Sequence, residues 1–149
     1  MLLAVLIPAY NERDLLPRLV ERLLATPSPA LPATAANSHP QPIRRILVIV
    51  DDGSTDGTAD VVRDLGARDD ILAIVQDKNS GKGAAIRTAL EAARDKVNAD
   101  IFLIQDADLE YDPADHAAIL APILNGPVSY THLRAHETKA NLVCRLLLE

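Results

Sequence analysis

Four short apolar runs recur along the chain, and they constrain its fold more than any other feature. Each run is about five residues long, is rich in Ile, Val and Leu, and ends at polar or turn residues. Such runs are typical of strands that are buried on both faces of a parallel sheet. The sequence therefore predicts four strands, at Leu2–Ile7, Ile46–Val50, Ile71–Val75 and Ile101–Ile104.

The segments between the runs have helical spacing. Apolar stripes predict helices over 15–24, 59–65 and 85–93. A fourth helix is predicted to begin at Asp112, which can cap it, and Pro113, which suits the first helical position. Because strands and helices alternate, we expect an α/β fold with a largely parallel sheet and helices on both of its faces.

The segment from Thr26 to Pro42 differs in composition from the rest of the chain. It holds five prolines in seventeen residues. Proline at this density disfavours both helix and sheet pairing. We therefore predict an exposed loop insertion over 26–42 that takes no part in a sheet.

Composition excludes several functional classes. The 149 residues carry a formal charge of −6 and one cysteine, which fits a single globular domain without a disulfide framework. No apolar run approaches the ~20 residues of a membrane span, and no basic segment precedes Leu2–Ile7 to form a signal peptide. An acidic chain with three tyrosines, one phenylalanine and no tryptophan is a poor nucleic-acid binder. We expect a cytoplasmic protein with no nucleic-acid partner.

Polar clusters follow all four predicted strands. They are Pro8–Glu12, Asp51–Thr58, Asp77–Gly83 and Asp106–Asp108. Ligands of parallel α/β sheets bind beyond the carboxyl ends of the strands, so these clusters are expected to meet at one edge of the sheet. Helix capping can explain one or two of them, but it does not explain the accumulation of carboxylates.

The charged residues of these clusters indicate different kinds of contact. In extended backbone Asp106 and Asp108 face the same side, and two such hard oxygen ligands suit Mg²⁺ or Mn²⁺. Asp51 and Asp52 are adjacent and point apart, so hydrogen bonds to a base or to ribose hydroxyls are their more natural role. Lys82 lies between two glycines at a helix start, where it can contact phosphate; the alternative is a flexible turn with a solvated lysine. Neither a Walker A motif nor a G-x-G-x-x-G after the first strand is present.

Taken together in this order, the four clusters resemble family 2 glycosyltransferases of the GT-A fold. The likeness runs from Leu3 to about Gly126, and it is nearest to the dolichyl- or polyprenyl-phosphate mannosyl- and glucosyltransferases. The resemblance implies a Rossmann-like nucleotide-diphospho-sugar transferase fold. It also implies the metal-dependent transfer of a sugar from a UDP- or GDP-linked donor.

The same resemblance implies roles for individual residues. Asp52 would hold the base or the ribose, Asp106 would contact the ribose or the metal, and Asp108 would be the main ligand of Mg²⁺ or Mn²⁺. The metal ligands are thus Asp106 and Asp108. The residues expected to bind the donor are Pro8, Ala9, Tyr10, Glu12, Asp51, Asp52, Gly53, Ser54, Lys82, Asp106 and Ala107.

The acceptor and the activity of this chain are less constrained. A lipid phosphate at the membrane surface is anionic near neutral pH and needs little general-base help, whereas a sugar hydroxyl needs a carboxylate base. The first case implies a peripheral position at the cytoplasmic face of the membrane. Two alternatives remain: a catalytically inactive nucleotide-binding fragment, and a sugar-phosphate nucleotidyltransferase, whose glycine-rich turn after the first strand is missing here.

The family resemblance ends at Gly126, where the acceptor half of the domain is expected to follow. Instead, Val128–Glu137 and Leu142–Leu148 match the translation, in one reading frame, of a sequencing adapter from transposase-made libraries and of its constant flank. We therefore predict that residues 1–127 are the N-terminal, nucleotide-sugar-binding part of a C-terminally truncated GT-A domain. Residues 128–149 are predicted to be a non-native tail.

Overall fold

The structure is a computed structural model of the chain, and it describes residues 1–33, 39–124 and 143–145. The strands are β1 (Leu2–Ala9), β2 (Ala30–Leu31), β3 (Gln41–Pro42), β4 (Arg44–Asp51), β5 (Ile71–Val75), β6 (Ile101–Ile104) and β7 (Val143–Arg145). The helices are α1 (Leu15–Ala25), α2 (Thr58–Leu65), α3 (Lys82–Asp95) and α4 (His116–Leu124), and a 3₁₀ turn over Pro113–Asp115 leads into α4. Each predicted strand and each predicted helix is confirmed.

Five strands form one sheet within the described residues, in the order β5-β4-β1-β6-β7. β1 lies at the centre and pairs in parallel with β4 along its whole length, from Leu2 opposite Arg44 to Ala9 opposite Asp51. β6 is parallel to β1 and β5 is parallel to β4, whereas β7 runs antiparallel to β6. The sheet is therefore largely parallel, as predicted, and the carboxyl ends of β1, β4, β5 and β6 share one edge.

Helices cover both faces of this sheet. On one face, Val5 and Ile49 belong to a core cluster that includes residues of α1, α2 and α4. On the other face, Leu6 and Phe102 pack with alanines of α3, among them Ala89. Because side chains of a strand alternate between two covered faces, β1 is buried from Leu3 onward. This explains why its sequence is continuously apolar rather than alternating.

The predicted helix start at Asp112 is confirmed. Its Oδ1 accepts a hydrogen bond from Ala114 N at 3.0 Å, and Pro113 takes the first position of the 3₁₀ turn. Its Oδ2 pairs with Arg22 Nη2 of α1 at 3.1 Å. One carboxylate therefore caps the entry to α4 and connects it to α1.

The expectation that the proline-rich segment takes no part in a sheet is wrong. Ala30 pairs with Pro42 and Leu31 pairs with Gln41 in a short antiparallel ladder. Proline is tolerated in such a ladder because it keeps its carbonyl acceptor, and an edge strand does not need its missing N–H. Residues 34–38 of this segment lie outside the described residues.

The predicted non-native tail at 128–149 also lies outside the described residues, apart from the backbone of β7. Among the helices that the structure describes, none has the length and apolar character that crossing a bilayer requires.

Candidate functional site

A cleft of about 240 Å³ opens at the carboxyl edge of the sheet. It lies between the ends of β1 and β4, the start of α3 and the loop that follows β6. Most residues predicted to bind donor or metal line this cleft: Pro8, Ala9, Tyr10, Glu12, Asp52, Lys82, Asp106, Ala107 and Asp108. The structure thus brings the polar clusters together at one edge, as expected for parallel strands.

Three further residues line the cleft without having been predicted: Asn79, Gly81 and Ala85. Asn79 and Gly81 belong to the polar cluster after the third predicted strand, and that position was the signal that could have identified them. Ala85 carries no such signal, because its sequence context marks it only as part of the buried stripe of α3.

Asp51, Gly53 and Ser54 were predicted to bind the donor, but they do not line the cleft. Asp51 is fully buried, and its Oδ2 accepts a hydrogen bond from Ser54 N at 3.2 Å. Ser54 Oγ in turn accepts from Asn11 N at 2.9 Å. Through these contacts the turn after β4 supports the loop after β1.

Other residues that follow β4 brace the same loop. Thr58 Oγ1 accepts a hydrogen bond from Glu12 N at 2.9 Å, and Asp56 Oδ2 accepts from Arg13 N at 3.2 Å. The backbone that carries Glu12 is therefore held by side chains more than forty positions away in sequence. This bracing was not predicted, because no local pattern indicates which backbone groups such distant side chains meet.

Asp52 and Gly53 hold the turn before α3. Asp52 Oδ1 and Oδ2 accept hydrogen bonds from Ser80 N and Gly81 N, each at 2.8 Å, and the residue is only 2% exposed. Gly53 has a φ of 67°, and a Cβ at this position would lie 2.4 Å from the carbonyl carbon of Lys78. Asp52 therefore anchors the turn, and its contact with a base or ribose stays a prediction.

The loop after β6 departs from the extended backbone that was predicted for it. Residues 107 and 108 form a turn, and Leu109 has a left-handed φ of 63°. Asp108 Oδ1 accepts a hydrogen bond from Glu110 N at 3.0 Å, which stabilises this turn. Asp106 and Asp108 line the same cleft, but the prediction that they project side by side from extended backbone is wrong, because the turn intervenes.

Negative charge predominates among the lining residues. Lys82 Nζ lies 2.7 Å from Asp106 Oδ2, and this lysine is the cation among the side chains that line the cleft. Burial raises the pKa of the Glu12 carboxyl above its ordinary value, and the charges of Asp108 and Asp56 raise it further. Carboxylates from different elements therefore lie close enough to repel one another.

The donor set fits a divalent cation that binds together with a diphosphate. Within residues 1–33, 39–124 and 143–145, no group of three or more His, Cys, Asp or Glu side chains is arranged to hold a metal ion. Mg²⁺ commonly takes one or two protein carboxylates and completes its shell with substrate phosphate oxygens and water. Asp106 and Asp108 supply carboxylates of this kind, so substrate oxygens would have to complete the site.

Comparison with known proteins decides the family. A family model described as Glycosyl transferase family 2 matches residues 4–142. The chain belongs to glycosyltransferase family 2. This family 2 chain is 30% identical over 141 residues to the Shewanella sediminis protein named undecaprenyl-phosphate 4-deoxy-4-formamido-L-arabinose transferase. That match covers 93% of this chain and 38% of the relative, so the chain spans little more than a third of the relative's length.

Solved glycosyltransferase structures share the fold of this family 2 chain. The mannosyltransferase PcManGT from Pyrobaculum calidifontis, in complex with GDP-Man and Mn²⁺, matches with a TM-score of 0.59 and 25% identity, over 85% of this chain and 32% of that one. TarS 1-349 from S. aureus matches with a TM-score of 0.59 and 21% identity, over 84% and 32% of the two chains. These likenesses confirm the predicted GT-A fold. The family assignment also weighs against the nucleotidyltransferase alternative.

Proposed function

We propose that this chain binds a UDP- or GDP-linked sugar in the cleft, and that the protein it belongs to transfers the sugar to a polyprenyl phosphate. The observation that carries the proposal is the meeting of Tyr10, Glu12, Lys82, Asp106 and Asp108 in one cleft. Two likenesses support it. The S. sediminis relative is named as an undecaprenyl-phosphate transferase, and PcManGT was solved with GDP-Man and Mn²⁺.

Asp106 and Asp108 are the proposed ligands of Mg²⁺ or Mn²⁺. A cation bound there would offset the negative charge that develops on the departing nucleoside diphosphate. Asp108 is exposed, and its hydrogen bond with Glu110 N orients its carboxylate. The pKa of Glu12 is raised first by burial and then by the charges of Asp108 and Asp56, and the charge of Asp108 is one that a cation bound there would offset.

Lys82 is proposed to contact the diphosphate of the donor. Its ammonium group pairs with Asp106 at 2.7 Å, but the lysine side chain is 60% exposed. Exposed ion pairs contribute at most about 1 kcal/mol, so Lys82 can exchange Asp106 for a phosphate oxygen at low cost. The N-terminus of α3, where Lys82 lies, adds backbone N–H groups that favour the same anion.

The nucleoside is proposed to lie against Tyr10 and Asp52. The Tyr10 ring is 46% exposed at the cleft, so it can cover a base by stacking. Each carboxylate oxygen of Asp52 accepts one backbone N–H and has a second lone pair, which can accept from a ribose hydroxyl or a base N–H.

The proposed acceptor needs little general-base help from this chain. The phosphate oxygen of a polyprenyl phosphate is already anionic near neutral pH, so it can attack the donor sugar with little general-base help. Its lipid chain would bring the protein to the cytoplasmic face of the membrane, which is the proposed location.

A second candidate is that this chain alone binds the donor without transferring the sugar. It is favoured by the chain's span of 38% of the S. sediminis relative. This candidate concerns turnover by the chain itself, which is measured as sugar transferred from a radiolabelled donor to polyprenyl phosphate. Turnover by this chain alone would contradict the second candidate.

Calorimetric titration of the chain with UDP, GDP and their sugar conjugates, with and without MnCl₂, tests donor binding. We expect Mn²⁺ to strengthen the binding of at least one of them, and Asp108→Asn to lose this dependence. Asparagine keeps an oxygen for Glu110 N but lacks the charge. Asp60→Asn is the matched control, because it removes an exposed carboxylate of α2 that pairs with Arg63. Absence of nucleotide binding, or full Mn²⁺ dependence in Asp108→Asn, would contradict the proposal.

A further inference from the structure

The loop that carries both proposed metal ligands is closed by a buried side chain outside the cleft. Gln105 directly follows β6 and is fully buried. Its Nε2 donates to the carbonyl oxygen of Asp106 at 3.2 Å and to that of Tyr111 at 3.3 Å. One amide group therefore connects the two ends of the 106–111 loop.

His116 bonds to the oxygen end of this amide. Its Nε2 lies 2.8 Å from Gln105 Oε1, and the imidazole is 1% exposed. The Gln105 NH₂ group donates to two carbonyls, so the amide oxygen faces the imidazole ring. Because this oxygen can only accept, His116 Nε2 must carry the hydrogen. Nδ1, which is buried and has no partner among the described residues, is then the bare nitrogen of a neutral ring. A flipped amide would place its oxygen against two carbonyl oxygens, so only one orientation is favourable.

The loop needs such support because its own backbone is unfavourable. Leu109 has a left-handed φ of 63°, a conformation that costs a residue with a Cβ roughly 1–2 kcal/mol. Its side chain packs against the core cluster that includes α1 and α4. The Leu109 contact holds the middle of the loop, and the Gln105 amide holds its two ends.

We propose that His116 is a positioning residue: acting through Gln105, it holds the 106–111 loop in the conformation that presents Asp106 and Asp108 to the cleft. Neither Gln105 nor His116 is among the residues that line the cleft, so they act on a bound ligand indirectly, and the loop is the part of the cleft wall that Gln105 contacts. The link to donor binding rests on the function proposed above, whereas the effect on the loop does not.

Three variants separate positioning from general stability. His116→Leu removes the donor and leaves Gln105 Oε1 buried without a partner. His116→Gln supplies an amide N–H at similar reach and is the conservative rescue. The double variant Gln105→Met/His116→Leu leaves no Gln105 Oε1 buried without a donor, so it keeps the test valid where His116→Leu alone is unstable. It also removes the amide that joins the carbonyls of Asp106 and Tyr111. Thr88→Val is the matched control, because it removes the Gln76–Thr88 hydrogen bond of 2.9 Å without touching the loop.

The readouts are hydrogen–deuterium exchange over residues 105–112 and nucleotide titration with and without MnCl₂. In the folded double variant we expect faster exchange over 105–112 with unchanged exchange in β1 and β4. We also expect about tenfold weaker Mn²⁺-dependent nucleotide binding, the loss typical of removing support behind metal ligands, with Mn²⁺-independent binding unchanged. His116→Gln should restore both properties, and Thr88→Val should match the unsubstituted chain.

Each contrary result has a distinct meaning. Unchanged exchange over 105–112 in the double variant would overturn the positioning role, whatever the binding data show. Faster exchange with intact Mn²⁺-dependent binding would overturn the link between the loop and the donor. An unsubstituted chain that binds no nucleotide would overturn the proposed function, and the exchange measurement would still decide whether His116 holds the loop.

Discussion

Gly81 N donates a hydrogen bond of 2.8 Å to Asp52 Oδ2, which connects the end of β4 to the turn before α3. The second oxygen of Asp52 accepts from Ser80 N at the same distance. Lys82, which pairs with Asp106 across the cleft, follows this turn directly. A single buried carboxylate therefore determines where Lys82 enters the cleft.

Asp52→Asn should destabilise the fold and weaken nucleotide binding. The substitution places an NH₂ group against a backbone N–H in a buried site, so we expect the free energy of unfolding to fall by about 1–3 kcal/mol. Urea denaturation followed by circular dichroism measures this change. Asp77→Asn, at an exposed position of the same turn, is the control and should have no effect. Equal stability of the two variants would contradict the anchoring role of Asp52.

Gly53→Ala and Gly83→Ala should change stability in opposite directions. At Gly53 a Cβ would lie 2.4 Å from backbone, and φ is +67°, so alanine should destabilise by more than about 1 kcal/mol. At Gly83, within α3, a Cβ meets no atom of the part of the chain that the structure describes within 4 Å, so alanine should stabilise by up to about 1 kcal/mol. Thermal melts of both variants check the signs. An unchanged melting temperature in Gly53→Ala would show that the turn at Lys78 is free to move.

Lys82→Met should affect phosphate binding rather than stability. Its ion pair with Asp106 is exposed, so the free energy of unfolding should change by less than about 1 kcal/mol. Affinity for UDP or GDP should fall, while affinity for uridine or guanosine should not, because only the diphosphates present anionic oxygens to the lysine. Lys78→Met, at an exposed position just before α3, is the matched control. Equal losses for nucleoside and nucleotide would argue against a phosphate contact.

Stability should fall in mild acid through His116. Burial, and to a lesser extent the charge of Arg45, lower the pKa of His116 to about 4 against the opposing charges of Asp115 and Asp112. The folded state favours the neutral ring. The stability that His116 contributes is therefore fully present above the unfolded pKa of about 6.5 and is lost as pH falls toward 4. The loss at pH 4 is about 3 kcal/mol. Urea denaturation at pH 7.5, 5.5 and 4.5 should show a steeper decline for the unsubstituted chain than for His116→Gln.

Residues 128–149 are proposed to come from a sequencing adapter. Resequencing the source DNA past the codon of Gly126, with adapters trimmed, should replace Val128–Glu149 with a different sequence. The family match extends to residue 142 and thus past Val128, so it does not support this proposal. Recovery of the same codons from untagged DNA would contradict it.

The sheet could be predicted because a strand that is buried on both faces must be apolar at consecutive positions. Val5 and Leu6 face opposite layers of helices, so both must be apolar. Once the strands were known to be parallel, their polar ends had to share an edge. This is why Tyr10, Lys82 and Asp108 could be placed in one site.

The contacts within the loops could not be predicted in the same way. Ser54 and Thr58 bond to backbone groups 43 and 46 positions away, and no periodic pattern reports such a partner. Likewise, nothing near Gln105 in the sequence indicates that its amide meets His116. The turn at Ala107 is not predicted when D-x-D is read as a continuation of β6, whereas the backbone turns at residues 107 and 108 and reaches a left-handed φ at Leu109.

The bracing of the loop after β1 has a consequence for the order of assembly during synthesis. Asn11 and Glu12 are made before Ser54 and Thr58, so their N–H groups find these partners only when the later residues have been added. A nascent chain that ends within β4 has no means of holding this loop in its native shape. The wall of the cleft that follows β1 therefore takes its native shape only after the turn that follows β4 has been made.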